Sequence, residues 1–328
     1  MKHGGDLTEA MARHGGAPAS WLDLSTGINP WPWPISLSLP ESIWQRLPAR
    51  TDADALLAAA RKTYGVPDGA GIAAASGTQA LIQWLPYLAA PGPVAIVGPT
   101  YSEHAAAWRN AGHPVIAIDH LAACPESAVH AVVVNPNNPD GRVTDRDALM
   151  RIAAQLKGRG GWLVVDEAFA DIDPAISSVA LCPNWPVLIL RSFGKFYGLA
   201  GLRLGFAIGA PDVIGHVTLA LGPWPCSGPA LLIGAAALGD QPWADRTRGA
   251  LEQQARKLDQ VLVKSGFTIA GGTSLFRLAR HPDALKLHAT LARRQIWCRR
   301  FDWADDLLRF GLPSDAAGLD RLAIALND

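Results

Sequence analysis

"RSFGKFYGLAGLRLGF", residues 191–206, is the stretch whose reading decides the fold. It follows "PVLIL" (186–190), an apolar run of strand length, and its own end runs into "LRLGFAIG" (202–209), which reads the same way. Lys195 therefore lies in a glycine-rich connection between two buried strands, three positions after Ser192 and eight before Arg203. A lone ammonium is a poor choice for such a place unless an anionic or electrophilic group meets it there.

Outward from this stretch, short apolar runs alternate with helical patterns from about residue 68 to 210. "GIAAASG" (71–77) precedes the helical spacing of "TQALIQWLPYLAA", and "PVAIVGPTY" (93–101) precedes "SEHAAAWRNAG". "HAVVVNPNNPDG" (130–141) precedes "TDRDALMRIAAQLKG", after which comes "GWLVVDEAF" (161–169). Continuous Val, Ile and Leu runs separated by helices indicate an α/β fold, a large domain with a mainly parallel central sheet. The last third differs. A long helical pattern over 229–266 is followed by strand-like "FTIAGGTSLFRLA" and "DLLRFGLP" around another helix, which predicts a smaller α+β domain. The expected division is an N-terminal segment over 1–44 packing with the small domain and the active site, a large domain over 45–225, and a small domain over 226–328. The proline- and glycine-rich "GPWPCSGP" (222–229) marks the join.

Composition narrows the function. The chain has 328 residues, 49% hydrophobic and 18% charged, with 29 Lys+Arg against 29 Asp+Glu and formal net charge +0. No basic excess invites nucleic acid or an anionic membrane. The N-terminus lacks the apolar core of a signal peptide, and no run is long enough to span a bilayer. Cys124, Cys182, Cys226 and Cys298 are scattered without metal or redox spacing, as expected of idle thiols in a reducing, cytoplasmic compartment. The nine histidines show no metal-ligand spacing either, and "DEAFADID" (166–173) reads as a mostly solvated carboxylate cluster, so no metal site is expected. Neither a GxGxxG nor a Walker lysine is present.

In open parallel sheets, ligands bind beyond the carboxyl ends of the strands. Here successive strands run into Ser76-Gly77-Thr78, Pro99-Thr100-Tyr101, "NPNNPDG", Asp166-Glu167, and Ser192 with Lys195. Together these residues suit one ligand. Lys195 in a desolvated pocket can form a Schiff base with a carbonyl. Asp166 can pair with a protonated ring nitrogen. Gly77 and Thr78 open a helix and present backbone donors to a phosphate, to which Ser192 and Arg203 add a hydroxyl and a guanidinium. Tyr101 can stack on a planar ring. A phosphate, an aldehyde and a protonatable aromatic nitrogen describe pyridoxal phosphate.

"SFGKFYGLAGLRLGF", "NPNNPDG" and "VVDEAF" resemble the fold-type I pyridoxal-phosphate enzymes of the class I/II aminotransferase family. The likeness runs from about residue 20 to 311. It implies that Lys195 is the Schiff-base lysine and general base, that Asp166 pairs with the pyridine nitrogen and that Asn138 hydrogen-bonds the ring's phenolic oxygen. It also implies that Tyr64 in "TYGVPDG" reaches the cofactor phosphate of a second subunit, hence a homodimer with shared active sites, and that Arg309 holds the substrate carboxylate. Taken alone, Asn138 would be a turn residue, Tyr64 and Tyr101 ordinary half-buried aromatics, and Arg203 and Arg309 surface ion pairs.

The reaction is read from finer features. "KHGGDLTEA" followed by "LDLSTGINP" looks like the opening of the threonine-phosphate decarboxylases of cobalamin biosynthesis, relatives of the histidinol-phosphate aminotransferases. Phe169 stands where many aminotransferases carry a tyrosine that donates to the cofactor oxygen. The resemblance implies decarboxylation of a small phosphorylated amino acid, L-threonine O-3-phosphate, to (R)-1-amino-2-propanol O-2-phosphate. Arg299 in "IWCRRF" (296–301) would take the substrate phosphate, with Arg300 as its neighbouring alternative, and His3 of the "HGG" motif and Asn29 would line the substrate. Two other readings stand beside it: a histidinol-phosphate-type aminotransferase, and a non-catalytic ligand-sensing module on the same fold.

Overall fold

A computed structural model of the chain describes residues 4–327, which group into two compact units. The larger comprises 33–138 and 142–243. The smaller comprises the chain up to Pro32, residues 139–141 and the chain from Ala244 onward. Strands in chain order are β1 (Leu22–Leu24), β2 (Gly71–Ala75), β3 (Val94–Val97), β4 (Val115–Ile118), β5 (His130–Val134) and β6 (Leu163–Asp166). They continue with β7 (Val187–Ser192), β8 (Gly205–Gly209), β9 (Thr268–Thr273), β10 (Phe276–Arg280), β11 (Ile296–Phe301) and β12 (Ala304–Gly311).

The larger unit is an α/β layer structure around a seven-stranded sheet in the order β2-β8-β7-β6-β5-β3-β4. All neighbours are parallel except β8, which runs antiparallel to both β2 and β7. The apolar runs of the sequence have a direct cause: every residue of β3, β5, β6, β7 and β8 is buried, as a sheet covered on both faces demands. Leu81, Ile82 and Leu85 of the helix Thr78–Leu88, with Trp108 and Ile214, pack in one core with Ile96, Val132, Val164 and Leu188. Reversal of β8 brings its first residue to the edge where its neighbours end. Gly205 pairs with Ala75 on one side and with Ser192 on the other.

The smaller unit carries a five-stranded sheet in the order β1-β11-β12-β10-β9. β1 is parallel to β11, and the remaining pairs are antiparallel. Arg299 of β11 lies directly opposite Arg309 of β12. No helix among the described residues is long and apolar enough to cross a membrane.

Three details depart from the expectations. The larger unit extends beyond 226, because the helix Gly228–Gly239 packs on the helix Arg50–Tyr64, with Thr63 Oγ1 donating to the Leu238 carbonyl at 2.7 Å. The long helical pattern is two helices, broken at Asp240, whose Oδ1 accepts from Trp243 N at 3.0 Å and starts the helix Gln241–Lys264. The carboxylates of "DEAFADID" are not mostly solvated. Glu167 and Asp171 are buried around Arg191, whose Nη1 donates to Glu167 Oε2 at 2.8 Å and whose Nη2 donates to Asp171. Ser178 N and Ser177 Oγ complete the shell of Glu167 at 2.6 and 2.7 Å. Burial opposes the charge on Arg191, yet the two carboxylates hold its guanidinium well above its ordinary value. Arg191→Leu would leave both carboxylates buried without a counter-charge and is expected to cost about 3–5 kcal/mol of stability. In urea unfolding the deficit should narrow as pH falls, because protonation removes the stranded charges.

Candidate active site

The site in the larger unit is built from the strand ends. Asp166 closes β6 and is buried, 3% exposed. Its Oδ1 accepts from Ala168 N at 3.0 Å, and its Oδ2 lies 2.9 Å from His104 Nε2. His104 comes from the helix Glu103–Asn110 and is itself buried. Tyr101 meets the His104 ring edge-on at 6.3 Å and donates its hydroxyl to Gln79 Oε1 at 3.1 Å. Burial, then Glu103 and Asp166, push the Tyr101 phenol up to about 12, so it stays a neutral donor.

After β5, the three asparagines of "NPNNPDG" divide their labour. Asn135 exchanges bonds with Thr144, accepting from its N at 2.8 Å. Asn137 accepts from Thr100 Oγ1 at 2.6 Å and donates to the Pro99 carbonyl at 3.0 Å. Two asparagines thus pin the loop to its neighbours, and the loop presents Asn138.

At the β2–β8–β7 edge, the helix Thr78–Leu88 starts on Gly77 (φ 81°), a conformation side chains rarely adopt. A Cβ at Gly77 would stand 2.8 Å from Arg203 Nη2, and one at Gly205 would stand 2.5 Å from Thr78 N. Gly205 needs glycine for close approach to the backbone, and Gly77 needs it for its positive φ. The guanidinium of Arg203 therefore lies against a helix start whose backbone donors face outward, with Ser192 across the ladder from Gly205. Lys195 follows in the short helix Phe193–Phe196, its Nζ 5.9 Å from the ring centre of buried Phe169.

This donor set fits pyridoxal phosphate. Gly77, Thr78, Ser192 and Arg203 form a cradle that any Cβ at 77 would fill, suited to a phosphate. Asp166 is a buried carboxylate held in place by a histidine, suited to a pyridinium nitrogen. Lys195 supplies an amine for an aldehyde. Among the described residues no cluster has the makings of a metal site.

Tyr64 departs from its expected place. It is 5% exposed, edge-on to Phe206 at 5.5 Å and beneath the Arg191 guanidinium at 4.5 Å. Burial, with Asp171 and Tyr197, raises its phenol well above the ordinary value. Its hydroxyl is buried inside the larger unit.

In the smaller unit, Arg309 is buried, donates through Nη2 to the Ser25 carbonyl at 2.7 Å, and lies over the Phe276 ring at 5.2 Å. Burial, and then the charge of Arg299, pull Arg309 down to about 10. Arg299 is lowered too, chiefly by burial, with Arg300 adding to the effect and Asp302 opposing it. Register separates Arg299 from Arg300: Arg299 shares the face of Arg309, whereas Arg300 pairs with Leu308 and points away. Gly5 N donates to Ser25 Oγ at 2.8 Å, and Ser25 Oγ donates to Asp23 Oδ1 at 2.6 Å, which steadies the carbonyl that Arg309 uses. Asn29, buried, accepts from Trp31 N at 2.9 Å and lines a cleft of about 280 Å³ with Gly5, Asp23, Thr26 and Gly311. His3 lies outside the described residues.

His104 was not singled out by the sequence reading. Its position three residues after Tyr101, on the same face of a helix start, was the available signal.

Residues 49–326 match the aminotransferase class I and II family model. The chain is 44% identical to the threonine-phosphate decarboxylase of Pseudomonas aeruginosa, covering 99% of this chain and 97% of that protein. It is 46% identical to a threonine-phosphate decarboxylase of a Sinorhizobium species, again covering 99% and 97%. Among solved structures, the histidinol-phosphate aminotransferase of Sinorhizobium meliloti in complex with pyridoxal-5'-phosphate superposes with a TM-score of 0.83 at 21% identity, covering 98% of this chain and 94% of that one. With its sheet, its strand-end cradle and these relatives in agreement, the chain belongs to the class I and II aminotransferase family.

Proposed function

We propose that the protein decarboxylates L-threonine O-3-phosphate to (R)-1-amino-2-propanol O-2-phosphate with pyridoxal phosphate as cofactor, a step of cobalamin biosynthesis. The observation that carries this reading is the near-full-length match, at 44 and 46% identity, to two proteins named threonine-phosphate decarboxylase. A cytoplasmic homodimer comes with the family resemblance.

Residue roles follow from the chemistry at each position. When bound, the cofactor supplies a conjugated ring that takes up the electron pair left at Cα. Thr78 N at the helix start, Ser192 and Arg203 hold its phosphate, and Gly77 keeps the approach open. Asp166 keeps a proton on the ring nitrogen, and His104 fixes the carboxylate that does so. Asn138 donates to the phenolic oxygen, and Tyr101 covers the ring. Lys195 would hold the aldehyde through Nζ and would be placed to give a proton to Cα. Arg309 takes the substrate carboxylate, and Arg299 takes the phosphate, with His3 and Asn29 beside the substrate.

Carbon dioxide release from L-threonine O-3-phosphate, with pyridoxal phosphate and no oxo acid, is expected over many turnovers and is lost in Lys195→Ala. An aminotransferase would stall after one half-reaction without an acceptor. Silence on this substrate, with turnover of histidinol phosphate and 2-oxoglutarate, would replace the reading. Gly77→Ala crowds Arg203 and is expected to weaken cofactor binding by about tenfold or more, the value of one charge-assisted phosphate contact, in absorbance titration of the apoprotein. Arg309→Gln should lower kcat/KM by roughly a hundredfold, since it strips one partner from a buried charge pair.

A further inference from the structure

Lys195 faces an aromatic ring at the point where its protonation state decides which reaction follows. The Nζ of Lys195 lies 5.9 Å from the centre of the Phe169 ring, within reach of the attraction between a cation and the negative face of an arene. The ring is fixed. Phe169 is buried, stands two residues after Glu167, and caps the short helix Ala170–Ile172. Glu167 and Asp171 on either side of it are tied to Arg191, which holds the segment that carries the ring.

We propose that Phe169 is a positioning residue that keeps Lys195 in its ammonium form, so that the lysine acts as a proton donor at Cα and not as a base. The inference rests on the decarboxylase reading above. Loss of carbon dioxide needs no base: the bond between Cα and the carboxyl carbon breaks, and its electron pair stays behind, delocalised onto the cofactor ring. The next event needs an acid. An N–H bond of the Lys195 ammonium breaks, a Cα–H bond forms with the returning pair, and the neutral amine regains a proton from water. The sum is one carboxylate lost as carbon dioxide and one proton taken from solvent. A neutral Lys195 amine would instead remove the Cα hydrogen of the substrate, which is the opening step of amine transfer. A cation-favouring ring beside Nζ selects between the two.

Fluorinated phenylalanines at position 169 keep the shape of the ring and weaken its negative face stepwise, so a role in packing alone would not respond to them. The full-length protein is prepared with phenylalanine and with its mono-, di- and trifluoro analogues at 169, and alongside them as Phe169→Leu. The first readout is acylation of Lys195 in the apoprotein by trace acetic anhydride at one mildly alkaline pH, measured by peptide mass spectrometry relative to exposed Lys257. Lys195 labelling is expected to rise with each added fluorine, reaching about two- to tenfold, the range that a cation–π contact of this kind supports. The second readout is the holoenzyme turning over L-threonine O-3-phosphate in heavy water. Recovered substrate should keep its Cα hydrogen with phenylalanine at 169, and should gain deuterium there in the trifluoro and Leu forms. A flat labelling series would overturn the role of Phe169. Absence of carbon dioxide release by the unmodified enzyme would overturn the decarboxylase reading instead, and the labelling series would still report on the ring.

Discussion

The larger unit depends on how close its reversed strand comes to the start of a helix. β8 runs against its two neighbours, and Gly205 is its first residue, bonded to Ala75 and Ser192. Because Gly205 has no side chain, Thr78 N can sit where a Cβ would stand only 2.5 Å away. That approach places three things in one row: a helix start with outward backbone donors, the hydroxyl at the end of β7, and the guanidinium on the turn before β8. Ser192 and Gly205 are held in that row by the ladder, whereas Arg203 is exposed and donates to the Ala200 carbonyl at 3.2 Å.

A second economy lies in consecutive carboxylates. Asp166 and Glu167 leave the same strand and face opposite ways, as neighbours on extended chain must. Asp166 meets His104, and Glu167 meets Arg191 with two serine donors. One carboxylate is held by a histidine at the end of its strand, while the other ties Arg191 and two serines to the loop that carries Phe169. Exchange of the two residues would leave both tasks undone, although composition and charge would be unchanged.

Much of this was legible in the sequence, for physical reasons that can be named. A sheet covered on both faces writes itself as unbroken Val, Ile and Leu runs, so β3, β5, β6 and β7 were plain. The connection that carries Ser192, Lys195 and Arg203 was legible because it joins two apolar runs, which are β7 and β8. What escaped depended on partners distant in the chain. His104 pairs with Asp166 across 62 positions, and the burial of Asp171 follows from Arg191, 20 positions on. Tyr64 sits at the end of the helix Arg50–Tyr64, and its place against Phe206 and Arg191 depends on residues far along the chain. β1 is three residues long and takes its strand form from pairing with β11, a cause no local pattern records. The helix break at Asp240 was written in Gln241-Pro242, but small apolar residues before it masked the stop.

The paired arginines of the smaller sheet carry a practical consequence. Arg299 and Arg309 sit directly across a ladder, both partly or wholly buried, and the charge of Arg299 makes that of Arg309 harder to hold. Like charges at such a position weaken a sheet. Any anion that settles between them relieves that repulsion and stabilises the fold by mass action. If Arg299 and Arg309 have the roles proposed above, inorganic phosphate would be such an anion. In phosphate buffer the protein would therefore melt at a higher temperature while its apparent KM rose, so the condition that best preserves it in storage is the one in which its activity would be underestimated.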